Sequence, residues 1–178
     1  MANYSKPNIT RLLNESDTAP NTAVKGTKLE ELVRYLFDKV PKVSFYASNV
    51  LDGVRAHELD VIFTNDVRNS PLYFLDFTII TECKNTAKRT SSAQVGWFVR
   101  KLQDRGVSTG ILISLSGITG IADGVSNAHS EILDALVRDG IRILVIKRDD
   151  ILALDTTDDL VALIQRKILK LTIERTIE

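Results

Sequence analysis

Residues 58–63 and 72–84 constrain most strongly what this chain can fold into. The first segment follows His57 and reads Glu-Leu-Asp-Val-Ile-Phe; the second reads Leu-Tyr-Phe-Leu-Asp-Phe-Thr-Ile-Ile-Thr-Glu-Cys-Lys. Both are apolar enough for buried strands, yet both carry charge where a buried strand should have none. Asp60 lies within the first, and Glu82 and Lys84 end the second. Side chains alternate faces along a strand, so Glu82 and Lys84 share a face and Cys83 takes the other. Between the runs stand the turn formers Asn65, Asp66, Asn69, Ser70 and Pro71, which predict antiparallel neighbours. That pairing brings Asp60 alongside Glu82 and Lys84.

Two carboxylates and an ammonium at the end of a strand pair form a small hard-cation site with a positive charge beside it. Metal-assisted phosphodiester hydrolysis needs such a set. A turn-facing or capping role for Asp60 fits poorly with its neighbours Leu59, Val61, Ile62 and Phe63. An unpaired buried carboxylate is costly, and a metal would resolve that cost. The bland alternative for Glu82 and Lys84 is a simple ion pair at a strand end.

Composition narrows the remaining classes. The chain has 178 residues, enough for one domain with a core, and 44% of them are hydrophobic. Basic and acidic residues balance at 23 each, which argues against a polyanion binder held by bulk charge. A single Cys excludes an internal disulfide framework and a Cys-rich zinc site, and two His make a His-dominated metal site a poor fit. The polar start of the chain does not read as a signal peptide, and no apolar run approaches the roughly 18 residues of a membrane span. A cytoplasmic protein is expected.

Residues 1–24 read as a flexible N-terminal arm, and residues 25–178 as a single domain with an extra C-terminal helix. Thr27 and Glu30 have capping-box spacing and predict a helix opening at Gly26; Leu29, Leu32, Val33, Leu36, Phe37 and Val40 give its buried face, and Pro41 stops it. Strands are predicted at Val43 to Ala47, Val54 to Thr64 and Leu72 to Lys84. Ser91 and Gln94 form a second capping-box spacing ahead of a helix with the stripe Val95, Phe98, Val99 and Leu102. Gly110 to Leu115 is a fourth strand, Ile121 to Arg138 a helix, and Ile141 to Ile146 a fifth strand. Thr157 or Asp158 caps a last helix with the stripe Leu160, Leu163, Ile164, Ile168 and Leu171. An antiparallel meander followed by crossovers gives an α/β fold, with a mixed five-stranded sheet flanked by helices and its third to fifth strands parallel.

Over roughly residues 25–155 the chain resembles the PD-(D/E)xK nuclease superfamily, closest to the Mrr-like restriction endonucleases and the Holliday-junction resolvases. The resemblance rests on Gly-Thr-Lys-Leu-Glu at 26–30, Glu-Leu-Asp at 58–60, Glu-Cys-Lys at 82–84, Gln94, and the run from Arg105 to Gly117. The family's Pro-Asp is Leu59-Asp60 here. The resemblance implies a restriction-endonuclease-like αβββαβ core and a metal-dependent DNA endonuclease acting in restriction or defence against foreign DNA. It implies Mg²⁺ as cofactor, with Mn²⁺ able to substitute, bound by Asp60, Glu82 and the backbone carbonyl of Cys83. It implies that Lys84 orients or deprotonates the attacking water and stabilises the developing charge. It places Glu30 and Gln94 at the edge of the catalytic site, although capping boxes account equally well for both. Trp97 and Phe98 read as core, with Trp97 also within reach of a substrate groove.

Lys88, Arg89, Arg100 and Lys101 follow the Glu-Cys-Lys segment and are expected to contact DNA phosphates; an ordinary solvated helix face explains Arg100 and Lys101 equally well. No helix-turn-helix or zinc finger is recognisable, so specificity falls to DNA structure, a partner specificity or effector domain, or the arm. Double-strand cleavage by one such site per chain predicts a homodimer, with the last helix as candidate interface unless its stripe packs on the domain's own sheet. Two other readings remain: a Holliday-junction or repair nuclease on the same fold, and a non-cleaving nucleic-acid-binding or assembly subunit.

Overall fold

In a computed structural model describing residues 2–51, 58–120 and 127–177, the strand β3 (Thr78–Lys84) lies at the centre of a five-stranded sheet. Its neighbours are β1 (Val43–Leu51) and β2 (Glu58–Asn65) on one side and β4 (Thr109–Ser114) and β5 (Arg142–Ile146) on the other, in the order β1-β2-β3-β4-β5. β1, β2 and β3 are antiparallel, whereas β3, β4 and β5 are parallel, as the crossover connections require. Every residue of β4 is buried, which explains its continuous apolar run.

The crossover helices are α3 (Ser92–Gln103) and α4 (Ala128–Asp139), which pack against each other. α3 approaches the sheet at Gly110, where a Cβ would come within 2.5 Å of Leu102 and 2.7 Å of Phe98. Glycine is required there by close approach. On the opposite face Phe37 of α2 (Thr22–Asp38) stacks on Phe63 of β2 with ring centroids 5.1 Å apart. The sheet is thus covered from both sides.

Four expectations are corrected. The lead-in expected as an arm contains a helix, α1 (Lys6–Thr18), capped by Ser5 and burying Ile9, Leu12, Leu13 and Ser16. α2 starts at Thr22 under an Asn21 cap, so Thr27 lies inside the helix and donates to the Ala23 carbonyl at 3.2 Å. Glu30 is therefore not a capping residue. The apolar run at 72–77 does not extend β3. It is a loop anchored by buried Leu72 and Leu75, and the buried Asn65 amide donates to the Leu72 and Asp76 carbonyls at 3.0 and 3.2 Å. Finally, the stripe of α6 (Thr157–Leu169) packs into the chain's own core: Leu160, Leu163, Ile164 and, in the π-helical turn Lys170–Glu174, Leu171 are all buried. It does not offer the interface expected of it; Leu169 and Ile173 are the large apolar side chains exposed there.

A short helix, α5 (Arg148–Leu152), joins β5 to α6. The predicted start of the second strand and the predicted first turn of α4 fall at residues 52–57 and 121–126, outside the described residues, as does His57. Among the described residues no helix is long and apolar enough to cross a membrane.

Candidate active site at the strand ends

The β2–β3 ladder pairs Ile62 with Ile80 and Val61 with Thr81, where it ends. Extending that register by one residue sets Asp60 across from Glu82. Period two then puts Asp60, Ile62, Ile80, Glu82 and Lys84 on the face that carries Gly110, the face α3 covers. Beyond the ladder the Cys83 N–H donates to Asp60 Oδ2 at 2.7 Å. A side-chain carboxylate thus replaces the next rung and satisfies a buried backbone donor. The Lys84 carbonyl accepts from Leu115 N on the β4 side, so strand alternation directs the Cys83 carbonyl toward β2, the side of Asp60.

Glu82 is almost fully buried, at 4% exposure, and both of its oxygens meet ammonium groups. Oε1 lies 2.7 Å from Lys84 Nζ and Oε2 lies 2.6 Å from Lys101 Nζ. Lys101 comes from α3, one turn beyond Trp97 and Phe98, and is itself only 4% exposed. The expectation that Lys101 contacts phosphates and the alternative of an ordinary solvated face are both corrected: it is an inward-facing partner of Glu82. Sequence reasoning missed this role because a Lys beside Arg100 reads as surface. The available signal was its spacing, which continues the Gln94–Trp97/98–Lys101 line of a helix face lying over the sheet. Arg100 does face outward and pairs with Asp104 at 3.4 Å.

Electrostatics differ across the cluster. Burial, then the charge of Glu82, pushes the Asp60 carboxyl up to about 6, against the Cys83 N–H and the charges of Lys84 and Lys101. Burial pulls the Lys84 ammonium down, but the charge and hydrogen bond of Glu82 and the charge of Asp60 outweigh it and hold it above the ordinary lysine range. Burial, then the charge of Asp60, pushes the Cys83 thiol far up, which makes it an unreactive core residue.

The outer residues are placed as follows. Glu30 accepts from Asn49 Nδ2 of β1 at 2.9 Å; burial, opposed by that bond and aided by Glu58, Glu31 and Glu82, raises its carboxyl. Gln94 closes the capping box, its Oε1 accepting from Ser91 N at 2.9 Å, while also lining an open groove with Glu82, Lys84, Ala93 and Trp97. Phe98 is core, but Trp97 is 53% exposed and belongs to the groove wall. Lys88 and Arg89 are exposed on the loop between β3 and α3. The loop base is held from outside: Asn85 donates to Ser16 of α1 at 2.6 Å.

Asp60, Glu82 and the Cys83 carbonyl are hard oxygen donors of the kind Mg²⁺ accepts, and Mg²⁺ is commonly held by only one or two carboxylates plus water and substrate phosphate. Among the described residues no group of three or more His, Cys, Asp and Glu side chains gathers into a metal cluster. The donors fit such a cation in type and number, with the condition that Glu82 must release one ammonium to join. In comparisons with known proteins, no family model and no curated protein matches this chain significantly.

Proposed function

We propose that the cluster at the ends of β2 and β3 hydrolyses phosphodiester bonds, making this chain a Mg²⁺-dependent DNA endonuclease of restriction-endonuclease-like topology. The observation that carries the reading is the facing pair Asp60 and Glu82, with Lys84 on the same strand face and ion-paired to Glu82 at 2.7 Å. The αβββαβ order, with its antiparallel meander and parallel crossover, supports it.

In this reading the bound Mg²⁺ supplies Lewis-acid polarisation of the phosphoryl oxygen and a more acidic water. Asp60 and Glu82 would hold it, with the Cys83 carbonyl. Lys84, held in its ammonium form, acts as an electrostatic clamp on the charge developing at phosphorus and orients the attacking water rather than removing its proton. In the metal-free site Glu82 aims Lys84, and this is the ammonium it would release toward the phosphate to take up the cation. Lys101 takes the second oxygen of Glu82 and keeps that carboxylate in place. Lys88, Arg89 and Arg100 would set the register of the strand through phosphate contacts. Cutting both strands of a duplex would require two copies of the site, most simply a two-fold dimer.

The full occupation of Glu82 by two ammonium groups favours one other reading, a non-cleaving nucleic-acid-binding or assembly subunit. Incubation with plasmid, four-way junction and RNA, with Mg²⁺, Mn²⁺ or chelator, separates the two. Metal-dependent cleavage that disappears in Asp60→Ala is the expected result. Binding without cleavage under every metal condition would refute the nuclease, and the relative rates distinguish a restriction-like from a junction-resolving or RNA-directed activity.

A further inference from the structure

Ala93, Gln94 and Trp97 of α3 form a wall of the groove that ends on Glu82 and Lys84. Val95 and Phe98 on the same helix are fully buried, so core packing explains α3 without help from Trp97, which stands 53% exposed. A half-exposed indole thus lines the groove beside ion-paired side chains. Basic residues stand nearby in the chain: Lys84 lies in the groove, ion-paired to Glu82, Arg100 follows one helical turn on, paired with Asp104, and Lys88 and Arg89 are exposed on the loop that leads into α3.

A flat, half-exposed aromatic ring on a helix entered from a basic loop suits a polyanion that carries flat aromatic rings. In an intact duplex both faces of each base are covered by its stacked neighbours, so a base offered to Trp97 must be unpaired or splayed out. We infer that Trp97 is a stacking platform for an unpaired nucleobase. The substrate class is then nucleic acid with single-stranded character beside the scissile phosphate, such as a flap, a gap, a junction arm or a single strand, rather than uninterrupted duplex. Stacking on an indole tolerates any base, which agrees with the lack of a recognisable base-reading element. The inference rests on the reading that this site handles nucleic acid.

The chain contains one Trp, so its intrinsic fluorescence reports on that residue alone. The full chain, in chelator, is titrated with oligo-dT, oligo-rU and a blunt duplex of equal length. Quenching by a single strand and not by the duplex is expected, and comparison of dT with rU tells DNA from RNA. By anisotropy of labelled oligonucleotide, Trp97→Ala should weaken single-strand binding roughly ten-fold or more, with Trp97→Phe retaining most of the affinity. Duplex affinity should stay unchanged in both variants. Absence of quenching by either single strand, or an equal loss of duplex affinity in Trp97→Ala, overturns the platform. Cleavage without quenching overturns the platform and leaves the nuclease; quenching without cleavage of any substrate does the reverse.

Discussion

Replacing Asp60 with Asn should stabilise the metal-free protein, and only above a definite pH. The carboxyl titrates at about 6 in the folded chain against an ordinary value of 3.8. Between those values the folded state retains a proton that the unfolded state has released, so stability falls as pH rises through that window. Above about 6 the cost is fully present, and below about 4 it is absent. The interval between 3.8 and about 6, at about 1.36 kcal/mol per pH unit, gives about 3 kcal/mol as an upper limit. Asn keeps a side-chain oxygen for the Cys83 N–H, now 2.7 Å from Asp60 Oδ2, and carries no charge to desolvate or to oppose Glu82. Urea denaturation in chelator should find the Asp60→Asn chain more stable by up to about 3 kcal/mol at pH 8 and nearly equal to the parent at pH 4. Mg²⁺ should then raise the stability of the parent at pH 8 and leave the variant unchanged, because a ligand stabilises only the state that binds it. A gain of the same size at both pH values, or no gain at pH 8, would refute the argument that burial and Glu82 strain this carboxylate.

Lys84→Ala should abolish cleavage while costing the fold only about 1 kcal/mol, since Lys101 still neutralises Glu82; cleavage at the parent rate would remove Lys84 from the chemistry. Lys101→Met breaks an ion pair buried at both ends and should cost about 3 kcal/mol by denaturant titration, a loss that Glu82→Gln in the same chain should largely restore. An effect of Lys101→Met below about 1 kcal/mol would show that the pair is not coupled to stability. Exchanging Lys88 and Arg89 together for Gln should weaken binding equally for all sequences and reduce the salt slope by about 0.9 for each phosphate that is no longer neutralised. A sequence-selective weakening would mean that the loop reads bases.

Much of the sheet was legible because its signals are local and periodic. Glu82 and Lys84 could be set on one face from alternation, the turn formers between the two runs gave the antiparallel pairing that brings Asp60 alongside, and the Ser91 and Gln94 spacing gave the α3 cap at the correct residue. What stayed hidden depends on tertiary partners. Lys101 carries a charge, and only the sheet beneath it reveals that its ammonium points inward to Glu82. α1 has a narrow stripe, Ile9, Leu12 and Leu13, in an otherwise polar segment, and becomes helical through packing on α2. The run at 72–75 has the composition of a strand, yet the buried Asn65 amide folds it into a loop. The capping box at Thr27 and Glu30 had the right spacing in the wrong place, since Asn21 offers an earlier cap.

The position of α1 bears on how the chain is assembled during synthesis. Ser16 and Asp17 at its end are bonded to Asn85 and Arg148, residues 69 and 131 positions later in the chain. A short, polar helix is marginal in isolation. Its apolar side chains can pack on α2 as soon as that helix is made, whereas its polar contacts to Asn85 and Arg148 wait until β3 and then β5 have been made. The loop that leaves the Glu-Cys-Lys strand thus receives its outer brace from a helix that was made well before it.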